Sequence, residues 1–238
     1  MVIDMQKCVG CGICIPYCPV GAISIQEKKG YIDMDKCVEC GSCLKQNVCP
    51  QHAFVQQTLA WPRYIRAIFS NVAVPSPNTG VPGRGTEEMK TNDVTGRFPS
   101  GVVGVAFELG RPGCGTDMKS VQLIATTVVQ NGGRLERDNP TTFLFESLVT
   151  GKVKPEYMDE HCMSVIVEAV VDTDKFIPLM KEIKKIEPQI STVFSVDVIT
   201  IMENGKIPTD AMLKEAGFTP RPNGKTCLGL GRPLAKFN

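Results

Sequence analysis

The sequence predicts an α+β chain of two unlike parts: a small module over residues 1–57 and an α/β-plait domain over 102–238, joined through 58–101. Three observations predict it. Eight of the 11 cysteines fall within residues 1–57. They recur at an interval of 29 residues, which marks an internal repeat. From residue 102 onward, runs of period two alternate with runs of period 3.6 in the order βα(β)βαβ, the split βαβ pattern.

The cysteines form two runs, Cys8, Cys11, Cys14, Cys18 before Pro19 and Cys37, Cys40, Cys43, Cys49 before Pro50. Three thiols at every third position, with a fourth close by and then a proline, is the ligand spacing of a cubane iron–sulfur cluster. Zinc takes four ligands in paired C-x-x-C form, and overlapping triplets suit it poorly. The flanks repeat as well: Cys18-Pro19-Val20-Gly21-Ala22-Ile23 echoes Cys49-Pro50-Gln51-His52-Ala53-Phe54. The one break is an insertion before Cys49, where five residues separate it from Cys43 against three between Cys14 and Cys18. Gly10, Gly12 and Gly41 let the backbone come close and aim N–H groups at sulfur. Ile13, Ile15, Val20, Ile23, Ile25, Val38 and Leu44 are the candidate apolar shell limiting water around such a centre.

Residues 1–57 thereby resemble the bacterial-type two-[4Fe-4S] ferredoxin family. The resemblance implies two [4Fe-4S] clusters, with the fourth cysteine of each run ligating the other run's cluster. The implied sets are Cys8, Cys11, Cys14 and Cys49 for the first, and Cys37, Cys40, Cys43 and Cys18 for the second. It also implies single-electron transfer to or from a partner oxidoreductase. The module's five lysines and five acids cancel. Each oxidised cluster with its four thiolates adds a formal −2, about −4 in all, so a basic face on the redox partner is expected.

Between the two parts, Trp61, Ile65, Ile68 and Phe69 share one helical face, with Pro62 at a favoured first position. This predicts a linker helix within 58–73. Residues 74–101 contain four prolines and five glycines and follow no helical or strand period. So long a stretch without pattern is usually functional or disordered. Arg84 and Arg97 stand among glycines there, a composition suited to gripping phosphate or carboxylate.

In the second part, Val103, Val105, Phe107 and Leu109 predict a strand. Met118, Val121, Ala125, Val128 and Val129 predict a helix, capped by Thr116 and stopped at Gly132. A short strand over 134–137 and an extra helix over 140–149 follow. The next strand carries Met163, Val165, Val167, Ala169 and Val171. A helix over 174–187 turns Phe176, Met180, Ile183 and Ile186 inward. Phe194, Val196 and Val198 define a last strand, before a small helix near 209–216. The element order is similar to that of ACT-type regulatory domains, without a shared motif. It predicts a sheet with helices on one face and the other face free for a partner, a homodimer mate or the cluster module.

Outside the clusters, the turn Gly110-Arg111-Pro112-Gly113-Cys114-Gly115 precedes a helix, and Gly231-Arg232-Pro233 repeats its phrase. Arg84, Arg97, Arg111, Gly113, Cys114, Gly115 and Arg232 are therefore the candidate site for a small anionic ligand. Cys114 is also a candidate reactive thiol. Cys114, Cys162 and Cys227 form no metal spacing, and two histidines, His52 and His161, give little for a zinc enzyme or a triad. With 26 basic and 25 acidic residues, bulk charge points to neither nucleic acid nor a membrane surface. No apolar run approaches the roughly 18 residues of a membrane span, and a cluster ligand at residue 8 leaves no room for a signal peptide. A cytoplasmic, reducing setting is expected, in which these thiols stay free of disulfides. The leading expectation is an electron-transfer component with no catalytic residue of its own. The other is a redox enzyme subunit or ligand-gated sensor binding an anionic substrate or nucleotide beside a cluster.

Overall fold

Residues 1–84, 92–110 and 113–221 are described by the structure, a computed structural model. The N-terminal module contains β1 (Val2–Ile3), β2 (Ile23–Gln26), β3 (Lys29–Ile32), α1 (Ser42–Lys45) and β4 (Phe54–Val55). β2 and β3 form a hairpin whose turn residues Glu27 and Lys28 both take positive φ, as a tight turn matched to strand twist requires. β1 pairs antiparallel with β4 and closes the module end to end. Met1, Ile23, Ile32 and Phe54 form its core cluster. Gly10 takes φ +69°, and a Cβ there would overlap the Lys28 carbonyl, so the first ligand loop packs tightly on the hairpin.

The larger part contains α2 (Tyr64–Ser70), α3 (Asn92–Thr95), β5 (Val102–Leu109), β6 (Thr116–Asp117), α4 (Met118–Gln130), β7 (Arg134–Leu135), β8 (Phe145–Ser147), β9 (Lys152–Val153), β10 (His161–Cys162), β11 (Val165–Asp172), α5 (Thr173–Ile186), β12 (Phe194–Ile199) and α6 (Thr209–Glu215). Its four-stranded sheet runs β12-β5-β11-β7 with antiparallel pairing throughout. Each strand–helix–strand unit thus has a strand of the other unit inserted between its own two, which is the expected split βαβ order. Alternation along β5 sends Val103, Val105, Phe107 and Leu109 into the core with Val121, Ile124 and Ala125 of α4 and Phe176, Leu179, Met180 and Ile183 of α5. Ile65, Ile68 and Phe69 of α2 join that same core, so the linker helix is built into the larger domain. Trp61 precedes it and remains 51% exposed.

Four expectations need correction. The second sheet face is not free: Gly104 lies where a Cβ would meet Ile199 and the Phe98 ring. Phe98, Ala106, Ile166 and Glu168 are buried there, and Ile166 N–H donates to the Arg84 carbonyl at 2.9 Å. The described parts of the patternless connection, at Arg84 and Phe98, therefore pack against the sheet, which side-chain periodicity could not reveal. Residues 140–149 form a 3₁₀ turn and then β8, which pairs with β9. Phe143, Leu144 and Phe145 are consecutive, not helically spaced, and Val153 N–H is satisfied by Gln122 of α4 at 2.9 Å. The cap of α4 is Asp117, accepting from Ser120 N–H at 2.7 Å, while Thr116 pairs with Cys162 between β6 and β10. The strand expected from Met163 starts at Val165, after Met163 N–H has bonded Ser70 Oγ at 2.8 Å. Among the described residues, no helix is long and apolar enough to cross a membrane.

Candidate metal centre

The antiparallel β1–β4 pair and the β2–β3 hairpin bring the two halves of the repeat together, and the fourth cysteines follow. Cys8, Cys11, Cys14 and Cys49 line one cavity, walled also by Val9, Ile13, Ile25 and Phe54. Burial pushes the Cys14 thiol up, a backbone hydrogen bond opposes this, and Cys11, Cys49 and Cys8 raise it further. Burial pushes Cys43 up to about 12, with Cys40, Cys37 and Cys18 adding to the rise. The Cys37 thiol is raised by burial too. Each set thus gathers three thiols of one run with the fourth of the other. Thiols crowded in this way form a donor set that the positive charge of iron would hold as thiolates. Among the described residues, no three His, Cys, Asp or Glu side chains are grouped to share a single metal ion. A cubane instead lets each thiolate bind a separate iron, so the donor set fits a cluster.

The backbone also serves the sulfurs. Gly30 N–H donates to Cys8 Sγ at 3.2 Å, Ala22 N–H to Cys18 Sγ at 3.1 Å and Ala53 N–H to Cys49 Sγ at 3.5 Å. Cys40 Sγ lies 3.3 Å from Ser42 Oγ. The insertion before Cys49 is absorbed by α1 and by Asn47 at positive φ, which returns Cys49 to the first set. Lys29 Nζ donates to the Cys8 carbonyl at 2.6 Å and the Met5 carbonyl at 3.0 Å, bracing the start of the first loop. The expected apolar shell proves one-sided. Ile23 and Val38 are buried, whereas Ile13, Ile15, Ile25 and Leu44 are exposed.

The second loop is held by α2, which periodicity alone did not show. Arg63 donates to Glu39 Oε1 at 2.9 and 2.7 Å, and to the Met34 carbonyl at 2.8 Å. Glu39 also accepts the buried Met1 amine at 2.6 Å. Arg66 donates to the carbonyls of Met34 at 3.1 Å, Asp35 at 3.3 Å and Cys37 at 2.9 Å. It also pairs with Glu160, and its Nη1 lies 3.2 Å from His161 Nε2. Two arginines three positions apart, Arg63 at the helix N-cap and Arg66 within the helix, beside an apolar face, were the available signal.

The remaining candidates are dispersed. Arg84 donates to Ser164 Oγ at 2.9 Å, and Arg97 is engaged by Glu136 and Asp138. Arg111, Arg232 and Cys227 lie outside the described residues. The N–H groups of Gly113 and Cys114 both bond the Gly110 carbonyl, closing their turn, and Cys114 is exposed. Gly115 faces Val20. The N-terminus of α4 already holds the carboxylate of Asp117, which Ser191 Oγ also meets at 2.5 Å. His52 lies against Asn47 at 3.1 Å. Cys162 is fully buried, and burial pushes its thiol far up.

Residues 7–58 match the family model of the 4Fe-4S dicluster domain. No curated protein and no solved structure matches the chain. The N-terminal module is accordingly a ferredoxin-type iron–sulfur segment, and an electron-transfer role goes with it.

Proposed function

We propose that the chain carries single electrons through two [4Fe-4S] clusters to or from a partner oxidoreductase, and that the domain over 102–238 docks that partner. The first cluster is held by Cys8, Cys11, Cys14 and Cys49, the second by Cys37, Cys40, Cys43 and Cys18. The observation that carries this reading is the meeting of Cys49 with Cys8, Cys11 and Cys14 around one cavity. When bound, each cluster supplies a one-electron change at iron. The chain's own part is to hold and tune. Backbone N–H groups of Gly30, Ala22 and Ala53 stabilise charge on Cys8, Cys18 and Cys49, and such bonds are among the levers on potential. Buried Ile23 and Val38 keep water from the inner side. Iron and sulfide near about eight each per chain, four of each per cluster, are expected. A chain that binds zinc alone, or one cluster alone, overturns the reading.

A second reading is favoured by the placement of Gly115 near the Cys18 loop, where an added Cβ would lie 3.9 Å from Val20 Cγ1. There the turn around Cys114, with Arg84, binds a small anionic ligand beside the second cluster and makes the chain a sensor or enzyme subunit. Thermal stabilisation by a nucleotide or carboxylate, lost in Arg84→Ala, tests it.

A further inference from the structure

The two ligand loops lie in unlike settings. The first is open: Cys11 is exposed, and Val9 and Ile13 beside it are 62% and 48% exposed. The second is fastened to the rest of the protein from behind. Its backbone carbonyls at Met34, Asp35 and Cys37 all point to one guanidinium, that of Arg66, whose side chain is only 7% exposed. A buried cation is costly unless it is paired and hydrogen-bonded, and Arg66 pairs with Glu160 through Nε while Nη1 meets the three loop carbonyls. Its Nε faces Glu160, while its Nη1 faces the loop and His161. The ion pair is therefore oriented, with its positive end toward Cys37. Burial first and Arg66 second lower the pKa of His161, so at neutral pH that ring adds no charge of its own.

We propose that Arg66 is a positioning residue for the second cluster: it pins the Met34–Cys37 backbone to the larger domain and sets a positive charge where an added electron would be felt. This rests on the ligand sets proposed above. An electron arriving at the cluster makes it more negative, and a nearby cation in a water-poor setting favours that state. The contact joins residues 94 positions apart in the chain, so any movement of Glu160 and His161 in the larger domain would reach the second cluster and bypass the first.

The test uses the full chain loaded with iron and sulfide, titrated redox-potentiometrically with electron paramagnetic resonance as the readout. Arg66→Met is expected to make one cluster about tenfold harder to reduce, as a charge about 10 Å away at an effective dielectric near 20 implies. For one electron that is about 59 mV. The cluster that moves should be the one absent in Cys40→Ala, and hydrogen exchange at residues 34–39 should rise in the same variant. Arg66→Lys should restore most of the potential while leaving exchange fast, because it returns the charge without the fork of donors. Lys119→Ala, which removes an exposed charge paired with Asp159, should move neither cluster. The inference is overturned if both clusters keep their potentials in Arg66→Met, or move together, with iron content intact. If Arg66→Met cannot hold its clusters, Arg66→Gln and Arg66→Lys decide by the same readout: a wild-type potential in Arg66→Gln overturns the inference. A wild-type chain without two reducible clusters overturns the ligand reading itself, and this inference with it.

Discussion

Replacing Cys49 by alanine separates cross-ligation from the alternative in which each run serves its own cluster. Cys49 meets Cys8, Cys11 and Cys14 across one cavity, whereas Cys43 has Cys40, Cys37 and Cys18 as its neighbours. The variant should therefore lose the first cluster and keep the second, with iron falling from about eight to about four per chain. The structural consequence should be local but large. The module's core cluster has four large buried side chains, Met1, Ile23, Ile32 and Phe54, worth about 1.5–3 kcal/mol each. So thin a core leaves the first loop dependent on its metal. Alkylation of the native variant followed by mass spectrometry should label Cys8, Cys11 and Cys14 and spare Cys37, Cys40, Cys43 and Cys18. Labelling of Cys37, Cys40 and Cys43 instead, or an unchanged iron content, would refute the assignment.

Three further outcomes follow from the larger domain. Gly104→Val should destabilise by about 1–3 kcal/mol in chemical denaturation, because its side chain would collide with Ile199 and Phe98; a neutral result would mean the 92–101 segment does not pack on the sheet. In native alkylation Cys114, which is exposed, should react quickly and Cys162, which is fully buried, only after unfolding. Asp117→Ala should cost about 0.5–2 kcal/mol through the lost cap of α4. Burial pushes the Asp117 carboxyl up, but hydrogen bonds from Ser191 and Ser120 outweigh it and leave the pKa lowered. Its stabilisation is thus complete above the unfolded value of about 3.9 and is lost as pH falls through the lower folded value. The wild-type minus variant stability difference should accordingly vanish in acid, and a difference that persists there would contradict this account.

Much of the centre was legible in one dimension because iron–sulfur ligation is written in short spacings. Three-residue steps wrap one loop around one cluster, so Cys8, Cys11 and Cys14 could be grouped without knowing the fold. The sheet was legible for a similar reason: alternation in β5 and β11 repeats every second residue, and one buried face suffices to show it. The length of α4 could be read from its 3–4 spacing, though its cap fell one residue further along than expected.

Long-range geometry decided the rest. Nothing in the spacing of 74–101 says that Phe98 fills the back of the sheet against Gly104, since that depends on where β5 and β12 lie. Nor does local pattern give the β8–β9 hairpin, whose strands are satisfied partly by Gln122 of α4. Arg66 and Glu160 could be paired only once α2 had packed its Ile65, Ile68 and Phe69 into the core of the larger domain. The sequence by itself marked which thiols are spaced to hold an iron–sulfur cluster, because chelation is local chemistry. Tertiary structure alone decided that the first ligand loop faces outward while the second is bound to the domain behind it, because burial and charge at a site come from residues far away along the chain.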